Sequence, residues 1–415
     1  MEDTASPRVL AKMVVAGAKE PSFQAATEML ELLGNLTISS ERVRRACTRV
    51  GADRIDHHRQ LQQAFEAKML PAQIRGKPAD VAAPDIACVM TDGGRYQLLD
   101  RSQASTGSAS ACKGECWKES RIGLLATMSG AEHTSDPQPV LPPELRYTAM
   151  AETLAQIGKT GAKLNDDSEA DQEVAEALQA AREGLVGPTL VHRNVVASAQ
   201  CWEDFGPLLA SQAWYDGFAA TKRKVFISDG SSTIEKLQQT HFSHYTSVLD
   251  LLHALSYSLA AARAVNEHEP AARRQYDAWA AMIWEGRVAD VIADLAAWSE
   301  RLGAPPPEAR ADDPREVVRV SRGYYQNHAP RMDYPSYRRQ GFPLTSSLME
   351  STVKQVSRRV KGSEKYWSPA GSEIMLRLRG EYLSDDNPMQ AYWQNRSKTA
   401  TGTRAYRAQQ SKVHK

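Results

Sequence analysis

No apolar run in the 415 residues approaches the roughly 20 needed to cross a bilayer, so no membrane span is predicted. Cysteine is scarce: five in a long chain, an odd number, which argues against a secreted disulfide framework and for a reducing compartment. The opening MEDTASPRVL has no basic stretch followed by an apolar one, so no signal peptide is predicted and a soluble, cytoplasmic protein is expected. An excess of charge of one sign is lacking too. The 51 Lys and Arg stand against 50 Asp and Glu, so an anionic or cationic partner must be sought in local patches. No internal repeat is visible.

What is present is an ordinary apolar content, 42%, in a chain long enough for two or three units with a large core. Residues 1–75 read as successive helices. Ser22–Leu33 has helical apolar spacing and ends at Gly34-Asn35, and Ser39 or Ser40 can cap a helix to about Val50. That last helix carries Arg42, Arg44, Arg45 and Arg49 on its polar side. The set fits a helix-turn-helix that meets DNA, and it equally fits a solvated basic face.

From Pro84 the period becomes that of strands: Ile86–Met90, Arg95–Asp100 as continuation or return, Arg121–Met128, and Lys224–Ser228. A Ser/Gly-rich loop lies between the second and third of these and holds Cys112 and Cys116. Their spacing falls in the range of zinc knuckles, but no second Cys/His pair matches it, so structural zinc is not expected. Residues 143–220 read as helix with an acidic stretch at 165–173, and 232 to about 302 as a long helical region. A Pro-rich linker follows, and 314–415 is again mainly helical with a polar tail.

Two segments share a grammar: IACVM-Thr91-Asp92-Gly93 and VFIS-Asp229-Gly230 each set an aspartate and a glycine after a short apolar strand. Asp-Gly is also the commonest turn dipeptide, so either alone reads as a turn. Together they suggest paired carboxylates able to hold divalent cations, whose preference is for oxygen ligands and phosphate. Glu350, early in a helix entered through Pro343, Thr345 and Ser346, offers a third carboxylate, with Arg358 and Arg359 about two turns later. By itself it reads equally as a surface glutamate.

In chain order these blocks resemble the DDE transposases of bacterial insertion sequences, specifically the ISKra-type group. The blocks are Asp92-Gly-Gly-Arg95, Trp117-Lys-Glu119, Ile227-Ser-Asp229-Gly230, Leu249-Asp-Leu-Leu-His253, Gly341-Phe-Pro-Leu-Thr-Ser-Ser-Leu-Met-Glu350-Ser, Trp367 and Tyr392-Trp393, covering roughly residues 40–395. The resemblance implies an α/β fold: an RNase H-like core with a helical N-terminal helix-turn-helix region and an all-helical insertion before the catalytic glutamate. That would account for the 121 positions between Asp229 and Glu350. It divides the chain into 1–75 helix-turn-helix, 84–231 core, 232–330 insertion, 331–395 core with the glutamate, and 396–415 basic flexible tail.

The same resemblance implies that Asp92, Asp229 and Glu350 are catalytic and hold two Mg²⁺ or Mn²⁺ ions. Asp250 and His253, at helical i, i+3 spacing, are similar to a D/C-x-x-H element that orders the site or touches DNA, although a helix-face histidine is more often packed or capping. Implied partners are double-stranded DNA, as terminal inverted repeats and as target, in a homodimer or larger assembly at the bacterial nucleoid. The family usually carries a longer region, often with cysteines, before the helix-turn-helix; here the chain starts close to it, and that departure bears on end recognition.

Local charge agrees with a DNA partner. Residues 351–415 hold 13 Lys and Arg against 5 Asp and Glu, interleaved with aromatics, and include Arg358, Arg359 and Lys361. Tyr324, Tyr325, Arg331, Tyr334, Tyr337, Arg338 and Arg339 form a second basic-aromatic cluster expected to face DNA. Two other readings remain at this stage: a transposase-derived protein that binds DNA without cutting it, and an RNase H-like nuclease without strand transfer.

Overall fold

The apolar run Ile86–Met90 is covered on both faces, which is why it shows no alternation in sequence. Ile86, Cys88 and Met90 enter one hydrophobic cluster, Ala87 and Val89 another. In the computed structural model, which describes residues 5–99, 117–157, 176–177, 179–180, 183–362 and 365–399, this run begins the central strand of a mixed sheet. The strands are β1 (Ile86–Leu98), β2 (Trp117–Ser129), β3 (Thr189–Ser198), β4 (Arg223–Ser228), β5 (Thr246–Leu249) and β6 (Tyr366–Trp367). Their order is β3-β2-β1-β4-β5, with β6 paired to the far end of β1. β1, β2 and β3 are antiparallel neighbours, whereas β4, β5 and β6 join in parallel.

Helices surround the sheet. Before it come α1 (Pro7–Lys19), α2 (Phe23–Gly34), α3 (Ser40–Glu66) and α4 (Leu70–Arg75). Between strands lie α5 (Tyr147–Ile157), α6 (Trp202–Tyr215) and α7 (Ser232–His241). After β5 follow α8 (Leu251–Val265), α9 (Glu269–Trp284), α10 (Val288–Leu302), α11 (Pro314–His328), α12 (Tyr334–Arg339) and α13 (Ser347–Val360). α14 (Pro369–Leu383) and α15 (Pro388–Thr399) close the described chain. None of these helices is long and apolar enough to cross a membrane.

Local chemistry explains most boundaries. Ser22 caps α2 by accepting from the Ala25 N–H at 2.9 Å, and Asn35, at φ 49°, ends it in the left-handed conformation. α3 outruns its expected end near Val50 by more than four turns, to Glu66. Gly51 does not stop it, because a side chain there would meet Ile374 Cγ2 at 2.5 Å, so the glycine serves close packing on α14.

Of the two readings of the segment from Arg95, continuation is the one found: β1 runs on through Gly93 and Gly94 to Leu98, because β2 pairs with it without interruption as far as Gln97. A Cβ at Gly94 would press on Ser120 Oγ of β2 at 2.8 Å, while Ser357 Oγ of α13 would stand at ordinary contact distance, 3.5 Å. Residues 189–198, expected within a helical stretch, form β3, an edge strand covered by α14, whose Gly380 would place a Cβ 2.7 Å from the Val195 oxygen. The region 232–330 is not all helix, because four residues of it make β5; α8 starts the continuous helical part. Four residues are too short to carry a readable period. Cys112, Cys116, the acidic 165–173 stretch and the tail from 400 onward lie outside the described residues.

The N-terminal helices are built onto the rest. Arg359 of α13 donates from Nε to the Gly17 oxygen at 2.8 Å, and Arg379 of α14 donates from Nη1 to the Ala18 and Lys19 oxygens at 3.3 Å. These are last-turn carbonyls of α1, which lack partners within their own helix. Arg54 of α3 donates to both oxygens of buried Glu381, at 2.8 and 3.0 Å.

Candidate active site

β1 and β4 run parallel with Met90 opposite Ile227, and Asp92 and Asp229 each lie two residues beyond that pair. Neighbouring strands are about 4.8 Å apart, so the register brings the two aspartates side by side where the parallel ladder ends. Asp92 is half-buried, and its Oδ1 accepts from the Gly93 N–H at 2.6 Å. Burial first, and then the Asp229 charge, pushes its carboxyl up to about 6. Asp229 follows the end of β4 on a turn, where its Oδ1 accepts from the Ser231 N–H at 2.8 Å. Gly230 has φ +94°, a conformation that favours glycine.

Glu350 reaches this point through Asp250. Asp250 follows β5 and is 1% exposed, with both carboxylate oxygens engaged. Oδ1 accepts from the N–H groups of Leu252 (2.7 Å) and His253 (3.1 Å), which caps α8, while Oδ2 accepts from the Ser346 N–H at 2.5 Å. The Leu251 N–H donates to the Leu344 oxygen at 3.0 Å, and the Asp250 N–H to the Ser228 oxygen at 2.9 Å. One residue therefore ties the end of β4, the start of α8 and the entry to α13. Glu350 lies in the first turn of α13, which packs across β1 at Gly94. Burial, then Asp250 and Asp92, pushes its carboxyl up to about 7, against the lowering effect of His253 and Lys354.

His253 is the cation facing this group. Burial works against its charged form, but Asp250 first, then Asp229 and Glu350, raise it to about 9. Its Nδ1 stands 3.6 Å from Asp250 Oδ1, an ion pair too long for a hydrogen bond. Burial also opposes ionisation of Asp250, yet His253 and the Ser346 N–H hold its carboxyl below the usual range. The fold thus brings Asp92, Asp229, Asp250, His253 and Glu350 into one electrostatic group. Among the described residues, no three His, Cys, Asp or Glu side chains converge as a ready-made metal site. By chemistry the donor set does fit a hard divalent cation: carboxylate oxygens crowded enough to resist ionisation, with one histidinium in partial compensation.

Asp229 has neighbours that sequence reasoning assigned elsewhere. The Tyr324 hydroxyl donates to the Asp229 carbonyl at 2.8 Å, and Arg331 Nη2 donates to Ser228 Oγ at 2.7 Å. Tyr325, Tyr334 and Tyr337 donate to the carbonyls of Ala254, Leu249 and Ser247 at 2.7, 3.1 and 3.3 Å. The basic-aromatic cluster expected to face DNA is therefore largely an internal brace, since its hydroxyls are committed to backbone. Glu119 is another carboxylate without an earlier role. It packs over Gly93, where a Cβ would clash with it, and accepts from Trp202 Nε1 at 3.1 Å. Its only sequence signal was its place in the Trp117-Lys-Glu119 block.

The basic residues divide. Arg42, Arg44 and Arg45 are exposed on α3; Arg44 forks onto Glu41 at 2.7 and 2.8 Å, and Arg45 stands 3.2 Å from the same carboxylate. Arg358 is exposed, while Arg49, Arg339 and Lys361 are half-buried. The expectation of DNA contact is corrected for two of them. Arg338 is 1% exposed, forked onto Asp136 and laid over Trp284 at 3.9 Å; Arg359 is 2% exposed, between the rings of Phe23 (4.5 Å) and Trp367 (4.9 Å). Both guanidiniums are used inside the fold and present nothing to a phosphate.

No protein-family model and no curated protein matches this chain.

Proposed function

We propose that this protein is a DNA transposase of the bacterial insertion-sequence DDE type, similar to the ISKra-type group, with an RNase H-like core. The observation that carries the reading is that three acids from distant segments are linked electrostatically around the end of the β1–β4 ladder, Asp92 feeling the Asp229 charge and Glu350 feeling that of Asp92. The mixed sheet, with β1, β2 and β3 antiparallel and β4 and β5 joining in parallel, is compatible with an α/β fold of that kind. An acid on the central strand, a second after β4 and a third on a helix crossing β1 suit its chemistry.

Asp92, Asp229 and Glu350 would hold two Mg²⁺ or Mn²⁺ ions, which when bound activate an attacking oxygen and stabilise the leaving one in phosphoryl transfer. Asp250 sets the entry of α13, and with it the place of Glu350 within reach of the Asp92 charge. His253 offsets carboxylate repulsion in the metal-free site. Arg42, Arg45 and Arg358 are exposed cations for DNA backbone contact, which orients the duplex without reading its sequence. The substrates would be terminal inverted repeats and target DNA, engaged by a dimer or larger assembly in the bacterial cytoplasm.

The test is Mn²⁺-dependent nicking of a duplex bearing the ends of the element that encodes the protein, followed by joining of the 3′-hydroxyl to a target plasmid. Asp92→Asn is expected to abolish both reactions and keep the gel shift. Nicking retained by that variant rules out the assignment, and nicking without joining by the wild type marks a nuclease instead.

A further inference from the structure

Asp229 is carried on a turn rather than in a ladder. β4 ends at Ser228, and the next residues pass through Gly230 at φ +94° into α7. A carboxylate on such a turn is only as well placed as the groups that hold the turn. Its side chain is oriented locally by the Ser231 N–H. Its peptide is held from 95 residues away, by the Tyr324 hydroxyl on the Asp229 oxygen.

We infer that Tyr324 is a positioning residue for the Asp229 carboxylate, through which the α8–α11 helices become a working part of the site. This rests on the reading of Asp229 as a metal-binding acid. The Tyr324 ring has little room to move: it stacks on Tyr257 with centroids 3.8 Å apart and planes 12° from parallel, and His328 meets it edge-on at 4.8 Å. Tyr257 is one helical turn beyond His253 on α8, so this stack and the histidine facing the carboxylates share a helix face. Gly230 presses on the same unit, because a Cβ there would meet His328 Nε2 at 3.0 Å and Tyr324 Cε2 at 3.1 Å. Arg331 holds the preceding residue through Ser228 Oγ. The turn is therefore gripped at three consecutive residues, Ser228 by Arg331 just after α11, and Asp229 and Gly230 by Tyr324 and His328 of α11, with Tyr257 of α8 behind the Tyr324 ring.

A buried tyrosine hydroxyl on a carbonyl also occurs where nothing but stability is at stake: Tyr276 donates to the Leu145 oxygen at 2.8 Å, in the same helical layer. Tyr276→Phe is thus a matched control for Tyr324→Phe, each losing one hydroxyl. Three measurements on the full chain separate the roles: backbone amide exchange over residues 229–232, the Mn²⁺ concentration at half-maximal nicking together with direct Mn²⁺ binding by paramagnetic resonance, and gel-shift affinity. Loss of one such bond is expected to raise both the exchange rate and the Mn²⁺ midpoint by about tenfold in Tyr324→Phe, with DNA affinity unchanged. Tyr276→Phe is expected to lower the melting temperature alone. If the two variants behave alike, with exchange at 229–232 and the Mn²⁺ midpoint unmoved, Tyr324 is a structural residue and the inference is wrong. A wild-type protein that neither binds Mn²⁺ nor nicks overturns the transposase reading separately, and the exchange comparison then still decides whether Tyr324 holds the turn. Gly230→Ala, which wedges the same contact apart, is expected to raise exchange over these residues as well.

Discussion

Asp250 Oδ2 accepts a hydrogen bond from the Ser346 N–H at 2.5 Å, closing 96 residues of sequence in one contact. The bond sets where α13 begins, and Glu350 lies four residues further on. On the reading proposed above, Asp250 acts through Glu350 and not on substrate. Asp250→Ala is expected to lose both the α8 cap and this tie, at a cost of about 2–4 kcal/mol measured by urea unfolding. Asp250→Asn keeps one acceptor oxygen and is expected to fall between wild type and alanine. Equal stability of all three proteins would show that the tie is not formed.

Removing a crowded charge should help the empty fold. Burial and neighbouring acids push Asp92 up to about 6 and Glu350 up to about 7. Folding is then favoured by the protonated forms, fully below the ordinary values of 3.8 and 4.5, and this contribution is lost as pH rises through about 6 and about 7. Asp92→Asn and Glu350→Gln are accordingly expected to melt at or above the wild-type temperature at pH 7.5 in EDTA, while nicking disappears. A variant melting well below wild type in EDTA contradicts the crowding.

His253 titrates at higher pH with the same sign. Its folded value of about 9 stands above the ordinary 6.5, so its stabilisation is complete below 6.5 and drains away as pH climbs to about 9. Metal-free wild-type protein should lose stability across that window, and His253→Gln should show a flatter profile there. The check is urea unfolding in EDTA at half-unit steps of pH; identical slopes in the two proteins would mean that His253 is not charged in the fold.

The parts legible in the sequence were those with strong local signals. Ser22 and Asn35 mark α2, the apolar runs before Asp92 and Asp229 mark β1 and β4, and Pro343 to Ser346 mark the entry to α13. β3 and β5 were not legible: one is an edge strand with alternation only in its first residues, the other has four residues. Of the site, the group Asp92, Asp229, Asp250, His253 and Glu350 came from motif order, because nothing local in a chain tells which turn meets which helix. The roles of Tyr324 and Arg331 were hidden for a different reason. Composition shows an Arg/Tyr cluster but not the direction of its hydroxyls, and these turned out to point at backbone carbonyls.

Arg358 and Arg359 make the sharpest case, since adjacent residues of one type have opposite surroundings. Arg358 is exposed near the end of α13, whereas Arg359 is buried between Phe23 and Trp367 and donates to the Gly17 oxygen. Arg359→Ala removes a cation stacked on two rings and strands the Gly17 carbonyl of α1, so it is expected to cost about 2–4 kcal/mol. DNA affinity measured well below its melting temperature should not change. Arg358→Ala is expected to leave stability within about 0.5 kcal/mol of wild type. It should weaken DNA binding uniformly across sequences and reduce the salt slope of the binding constant by about 1, as loss of a single phosphate contact does. Gel shifts at four salt concentrations, set beside urea melts of both variants, decide the matter. An unchanged salt slope in Arg358→Ala removes that arginine from the DNA-binding surface, and a lowered slope in a fully stable Arg359→Ala would contradict its burial.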